Sequence, residues 1–151
     1  MVSTLLLGLP APRDSQRQRK EKPMPKKEVI VPATLGQPNP NLSAATRFGN
    51  LVFVAGQTGR NPVTNEIGAD IREQTRNVLE RIKIILGEAG TSLENILTVN
   101  CWLKDVADAP AFNEEYAKYF TVDKPARATV QATLMAPNLL VEIMVTACIP
   151  E

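Results

Sequence analysis

The stretch "KPARATVQATLMAPNLLVEIMVTA", Lys124 to Ala147, sets Arg127 at the mouth of one apolar strand and Glu142 inside the next. Both side chains are costly in such surroundings unless each has a partner. A guanidinium offers a planar fork that takes a carboxylate through two hydrogen bonds. A carboxylate can hold a water molecule and carry its proton. Two readings follow: the residues form a structural ion pair with each other, or they receive something from outside. The rest of the chain narrows the chemistry. It has no histidine, which removes the usual general base, the usual metal ligand and the Ser-His and Cys-His nucleophile pairs. No cluster of Cys, Asp and Glu has metal-site spacing, and no glycine-rich phosphate loop opens a helix. Carboxylates, arginine, backbone groups and water remain, with no metal and no cofactor expected.

The elements that must position these two residues are readable from periodicity. Asp70 to Glu88 is the clearest helix, with Ile71, Val78, Leu79, Ile82, Ile85 and Leu86 on one stripe. Gly87 and Gly90 stop it, and Thr91-Ser92-Leu93-Glu94 reads as a capping box. Asp108 reads as the N-cap of a second helix, with Pro110 in its first turn. Phe112, Tyr116, Tyr119 and Phe120 form its aromatic stripe, which reads as core. Strands are expected at Val29–Val31, Leu51–Ala55 and "ILTVNCWL". Two more follow: Arg127 to Leu134, alternating in its two faces, and Leu139 to Ile149. A turn at Met135–Asn138 would make these two a hairpin, bringing Glu142 opposite roughly Thr129 to Gln131. The sum is an α+β domain, a mixed sheet with two helices packed on one face. A sheet covered on one side needs a partner on the other, and a homo-oligomer with clefts between subunits supplies one.

Length, charge and cysteine usage bound the setting. The 151 residues suffice for one domain, and 44% apolar with 22% charged residues is a soluble composition. Residues 1–27 hold seven Lys/Arg against two acidic residues, so they carry +5 of a net +1 and leave the remainder at −4. They read as a disordered basic tail, with an organelle-targeting leader or a nucleic-acid arm as alternatives. Residues 28–151 form the folded domain, too acidic overall to attract polyanions in general. No apolar run reaches the roughly 20 residues that span a bilayer. Cys101 and Cys148 read as reduced core thiols, which points to the cytoplasm.

Pro125-Ala126-Arg127, the spacing to Val141-Glu142-Ile143, and "GNLVFVAGQTG" at residues 49–59 together resemble the YjgF/RidA family, the reactive-intermediate deaminases often labelled L-PSP endoribonucleases. Gln74 with Asn77, Gly90, Asp105, and Asn113-x-x-Tyr116 before Tyr119-Phe120 extend the resemblance over residues 28–149. It implies a chorismate-mutase-like fold and a homotrimer with three clefts between subunits. It also implies hydrolysis of 2-imino or 2-enamino acids, such as 2-aminoacrylate, to 2-oxo acids and ammonia. By position, Arg127 matches the residue that holds the substrate carboxylate and Glu142 the one near the water. The carbonyl of Thr129 matches one that helps position that water. Ala55, Gly56 and Asn113 match residues lining the cleft. Leu42 falls where a tyrosine is usual, Ala55 where a polar residue is usual and Thr129 where a cysteine is usual; a more apolar cleft would favour a larger or more hydrophobic substrate. An imine is already electrophilic, so a positioned water and a proton carrier suffice without a nucleophilic side chain. Other readings are a non-catalytic binder of 2-oxo or short carboxylic acids, and an RNA-cleaving protein.

Overall fold

The apolar stripe of residues 71–86 organises the molecule. In the computed structural model, which describes residues 24–36 and 39–151, Ile71–Glu88 is helix α1, and all six stripe residues are buried. Asp70 caps it by accepting from the Glu73 N–H at 2.9 Å, and the Glu73 carboxylate accepts in return from the Ala69 N–H at 2.8 Å. Its end is closed by Gly90 at φ +83°, a left-handed position, with the Thr91 N–H reaching back to the Leu86 carbonyl at 2.9 Å. Most of the expected tail lies outside the described residues; residues 24–27 are exposed and irregular.

Six strands form one mixed sheet: β1 Glu28–Ile30, β2 Ala45–Phe48, β3 Leu51–Thr58, β4 Ile96–Leu103, β5 Ala126–Gln131 and β6 Val141–Cys148. Their spatial order is β1-β2-β3-β6-β4-β5, and only β4 and β5 run parallel. Helix α2, Ala109–Ala117, connects those two strands and packs beside α1. Val52, Val54, Val99, Cys101, Ile143 and Val145 point to the helices and are buried with Phe112 and Leu79. The fold is thus α+β, with two helices on one face of a mixed sheet. On the other face, Phe53, Val130 and Met144 are 44%, 54% and 39% exposed.

Four local expectations are corrected. The largest concerns the last two strands, which are not a hairpin: β4 lies between β5 and β6. Trp102 faces Val130 on one side and Glu142 on the other, so Glu142 is two strands away from Thr129. Strand β2 was not foreseen; with Arg47 in its middle and a length of four residues, it gives little alternation to read. Asp108 makes no side-chain cap; Asp105 caps the 3₁₀ turn Val106–Asp108 that leads into α2, accepting from the Ala107 N–H at 2.9 Å. The expected capping box after Gly90 starts only the 3₁₀ turn Leu93–Asn95, and the Ser92 hydroxyl meets the Glu94 carboxylate instead of a backbone N–H.

Candidate functional site

Arg127 stands on β5, a strand exposed along its whole length because it forms the sheet edge. Register pairs Arg127 with Val99, Thr129 with Cys101 and Gln131 with Leu103, so these side chains share the helix-facing side. There the guanidinium lies 4.5 Å from the ring centre of Tyr116 and 5.4 Å from that of Phe112. One Nη donates to the Asn113 Oδ1 at 2.8 Å. No carboxylate comes within salt-bridge reach of Arg127 among the described residues. The arginine is held flat by aromatic faces and steered by an amide, while its charge is left unmatched. Arg127, Thr129, Asn113, Phe112 and Gln131 line a shallow hollow of about 180 Å³.

Helix α2 supplies that platform because Phe112 and Tyr116 are one turn apart, their rings 5.6 Å between centres. The helix is pinned to α1 by Glu115, whose buried carboxylate meets Arg76 at 3.2 Å and Lys118 at 2.6 Å. The Lys118 ammonium holds the Glu115 carboxyl below the usual carboxylate range, against the opposing effect of burial, and Arg76 adds to the lowering. The neighbouring thiol and phenol are held in their protonated forms. Burial pushes the Cys101 thiol up to about 11 and the Tyr116 phenol up to about 12, each partly opposed by the Arg127 charge. Neither ionises near neutral pH. Cys101 and Cys148 are both free thiols.

Glu142 occupies the other side of the sheet. It alternates with the buried Val141 and Ile143 and faces Thr58 and Trp102 across the ladders. Its carboxylate lies against the Cα of Gly56, where any Cβ would overlap it. Only glycine fits at position 56 with Glu142 in this orientation. A register shift between Val54 and Gln57 places Gly56 in this position. Glu142 meets no cation within salt-bridge reach among the described residues.

Gly56 also borders a cavity of about 570 Å³, with Leu42, Ser43, Ile30, Thr58 and Arg81 in its wall. Ala55, the residue before it, is engaged through its backbone, donating to the Ala44 carbonyl at 2.9 Å and accepting from the Gln57 amide at 3.1 Å. The residues singled out from the sequence therefore fall into two groups within one chain. Arg127, Asn113 and Thr129 gather at the β5 edge on the helix side. Glu142, Gly56 and Leu42 gather around β3, with Ala55 adjoining. This placement excludes an ion pair between Arg127 and Glu142 of the same chain.

Gln74 and Asn77, noted for their spacing, are buried braces rather than parts of either group. Gln74 donates to the Gly68 and Asn138 carbonyls at 2.8 and 2.9 Å and accepts from the Leu140 N–H at 2.8 Å. Asn77 donates to the Gly59 carbonyl at 3.3 Å. Sequence reading missed the second role of Phe112 and Tyr116, as a seat for Arg127 as well as core. The adjacency of Asn113 to an i, i+4 aromatic pair was the available signal.

Similar proteins agree with this architecture. The family model described as Endoribonuclease L-PSP matches residues 35–149. A RutC family protein of Pyrococcus abyssi is 43% identical over 118 residues, 78% of this chain and 93% of that protein. The 3-aminoacrylate deaminase RutC of Acinetobacter baylyi is 41% identical over 119 residues, 78% of this chain and 94% of that protein. Among solved structures, E. coli TdcF with bound serine superposes with a TM-score of 0.75 at 28% identity, covering 80% of this chain and 98% of that one. The chain belongs to the Endoribonuclease L-PSP family, the YjgF/RidA/RutC proteins, as its motifs led us to expect.

Proposed function

We propose that this protein is a hydrolytic deaminase that converts 2-imino and 2-enamino acids to 2-oxo acids and ammonia. The observation that carries the reading is the unmatched guanidinium of Arg127, seated on Tyr116 and steered by Asn113 at an open sheet edge. Such a group is prepared for a planar carboxylate from outside. Two similar proteins are named for ligands of this kind, one for 3-aminoacrylate and one for bound serine.

The working unit is a homotrimer with its clefts between subunits. Apolar Phe53, Val130 and Met144 on the uncovered sheet face favour assembly. Because Arg127 and Glu142 face opposite sides of one chain's sheet, a cleft using both takes them from neighbouring copies. Arg127 then fixes the substrate carboxylate. Glu142, with the Thr129 carbonyl, holds a water. The Ala132 N–H bonds inward to the Leu103 carbonyl at 2.9 Å, and the alternation of a parallel ladder then turns the Thr129 main-chain groups toward the open edge. An enamine first tautomerises to the imine. Water oxygen adds to the imine carbon while Glu142 moves one water proton to nitrogen, giving the carbinolamine. Glu142 then carries the hydroxyl proton to nitrogen, and the C–N bond breaks as ammonia leaves and the carbonyl forms.

The test is ammonia release from an imine generated in place by an amino-acid oxidase, with 3-aminoacrylate as a parallel substrate. Faster release than in buffer is expected for the 2-imino acids. Acceleration with 3-aminoacrylate alone would move the reaction one carbon along the chain. Binding of 2-oxo acids without acceleration of either would make the protein a sensor. Sedimentation should give a mass near three chains of 16.5 kDa. Among the described residues, no helix is long and apolar enough to cross a membrane; a cytoplasmic site of action is part of this proposal.

A further inference from the structure

Helix α1 carries four basic residues, and three of them meet a glutamate: Arg72 meets Glu114 at 2.5 Å, Arg76 meets Glu115 at 3.2 Å and Lys83 meets Glu80 at 3.7 Å. The fourth, Arg81, meets none among the described residues. It is half-buried, and it borders the 570 Å³ cavity beside Gly56. Its Nε donates to the Gln57 Oε1 at 3.1 Å, and Gln57 is itself buried and tied to the Ala55 carbonyl. The guanidinium is thereby held from behind.

Burial lowers the affinity of Arg81 for its proton, and the like charge of Arg60 lowers it further. A guanidinium nevertheless stays charged. An anion entering the cavity would relieve both effects. Apolar Ile30, Leu35 and Leu42 share the wall with Ser43 and Thr58. The cavity therefore suits a short carbon chain that ends in a negative charge.

Gly56 is common to this cavity and to Glu142: it borders the cavity, and the Glu142 carboxylate lies against its Cα. We infer that Arg81 binds a second carboxylate, at the far end of the substrate, so that imines of acidic amino acids are preferred over monocarboxylic ones of equal length. This rests on the deaminase reading for the first carboxylate at Arg127 and refines it for the second. The apolar wall that Leu42 contributes accommodates the length of the substrate, and Arg81 sets the character of its end.

The experiment compares 2-oxoglutarate with 2-oxopentanoate, the same carbon chain without the second carboxylate. Binding to the intact protein is measured by calorimetry, and ammonia release from the corresponding imines is followed alongside. The wild type should bind 2-oxoglutarate about tenfold or more tighter than 2-oxopentanoate, as a charge-assisted pair implies. Arg81→Gln should abolish that preference while leaving 2-oxopentanoate binding unchanged. Arg81→Lys should retain part of it, which a purely structural role would not. Absence of a preference in the wild type, or a preference that survives in Arg81→Gln, overturns the inference. If the monocarboxylic imine is still hydrolysed, only the Arg81 assignment falls. If neither 2-oxo acid binds and no imine is hydrolysed, the deaminase reading falls, and the Arg81 assignment falls with it.

Discussion

Arg127 and Glu142 stand on opposite faces of one sheet, on strands separated by β4. No rearrangement of side chains within a chain brings them together. If both act on one substrate, they do so across a subunit boundary, and this can be tested by mixing inactive chains. Co-refolding Arg127→Ala with Glu142→Gln should restore activity, because some clefts then combine the intact Arg127 of one copy with the intact Glu142 of the next. Mixtures as inactive as the separate variants would show that each cleft draws both residues from one chain.

Arg127→Ala should cut kcat/KM by about thirtyfold or more, the effect of about 2–5 kcal/mol typical for truncating one member of a desolvated charged pair. Arg127→Lys should recover little, since an ammonium cannot supply the planar fork. Melting temperature should change little in either variant, because Arg127 lies on an exposed strand and meets no carboxylate within salt-bridge reach among the described residues. Steady-state kinetics and a melting curve on the same samples check both statements.

Glu142→Gln keeps the shape against Gly56 and loses the base. It should lower kcat while calorimetry still detects 2-oxo acid binding. Gly56→Ala should be as damaging, because its methyl group would displace the Glu142 carboxylate. An active Gly56→Ala variant would separate Glu142 from the reaction.

The pair of Glu115 with Lys118 and Arg76 should impose an acid limit on stability. Its folded-state carboxyl is held below the ordinary value, so its contribution is complete above that value, near pH 4. It is lost as pH falls through that range and on through the lower folded-state value. Glu115→Gln should cost about 1–3 kcal/mol at neutral pH and flatten the decline in urea-measured stability on acidification. Parallel pH profiles for the variant and wild type would count against this assignment.

Helix α1 was legible because its stripe, its Asp70 cap and its Gly90 stop all agree, and each is a local signal. Arg127 and Glu142 were legible as unusual residues in apolar strands. Their relation was not. Residues 132–140 are short enough to suggest a hairpin, yet they carry the chain over the end of β4. They are fastened there by Gln74 and by the Lys104 N–H, which donates to the Leu140 carbonyl at 2.9 Å. Those fastenings join distant parts of the chain, and no periodicity within the segment announces them. Arg81 carries no local signal of its own, since the cavity beside it is built from β1, the end of β3, the loop that leads into β2 and helix α1.

The position of β6 has a consequence for how the chain is made. It is the last of the six strands in chain order, yet it lies inside the sheet, between β3 and β4. During synthesis the earlier strands have no completed sheet to join, and the facing edges of β3 and β4 stay open until Val141–Cys148 arrives. Folding therefore waits for nearly the whole chain, and its slow step is a long-range closure rather than growth from the N-terminal end. Premature termination before β6 would leave two apolar strand edges exposed, a product suited to aggregation and degradation rather than to partial function.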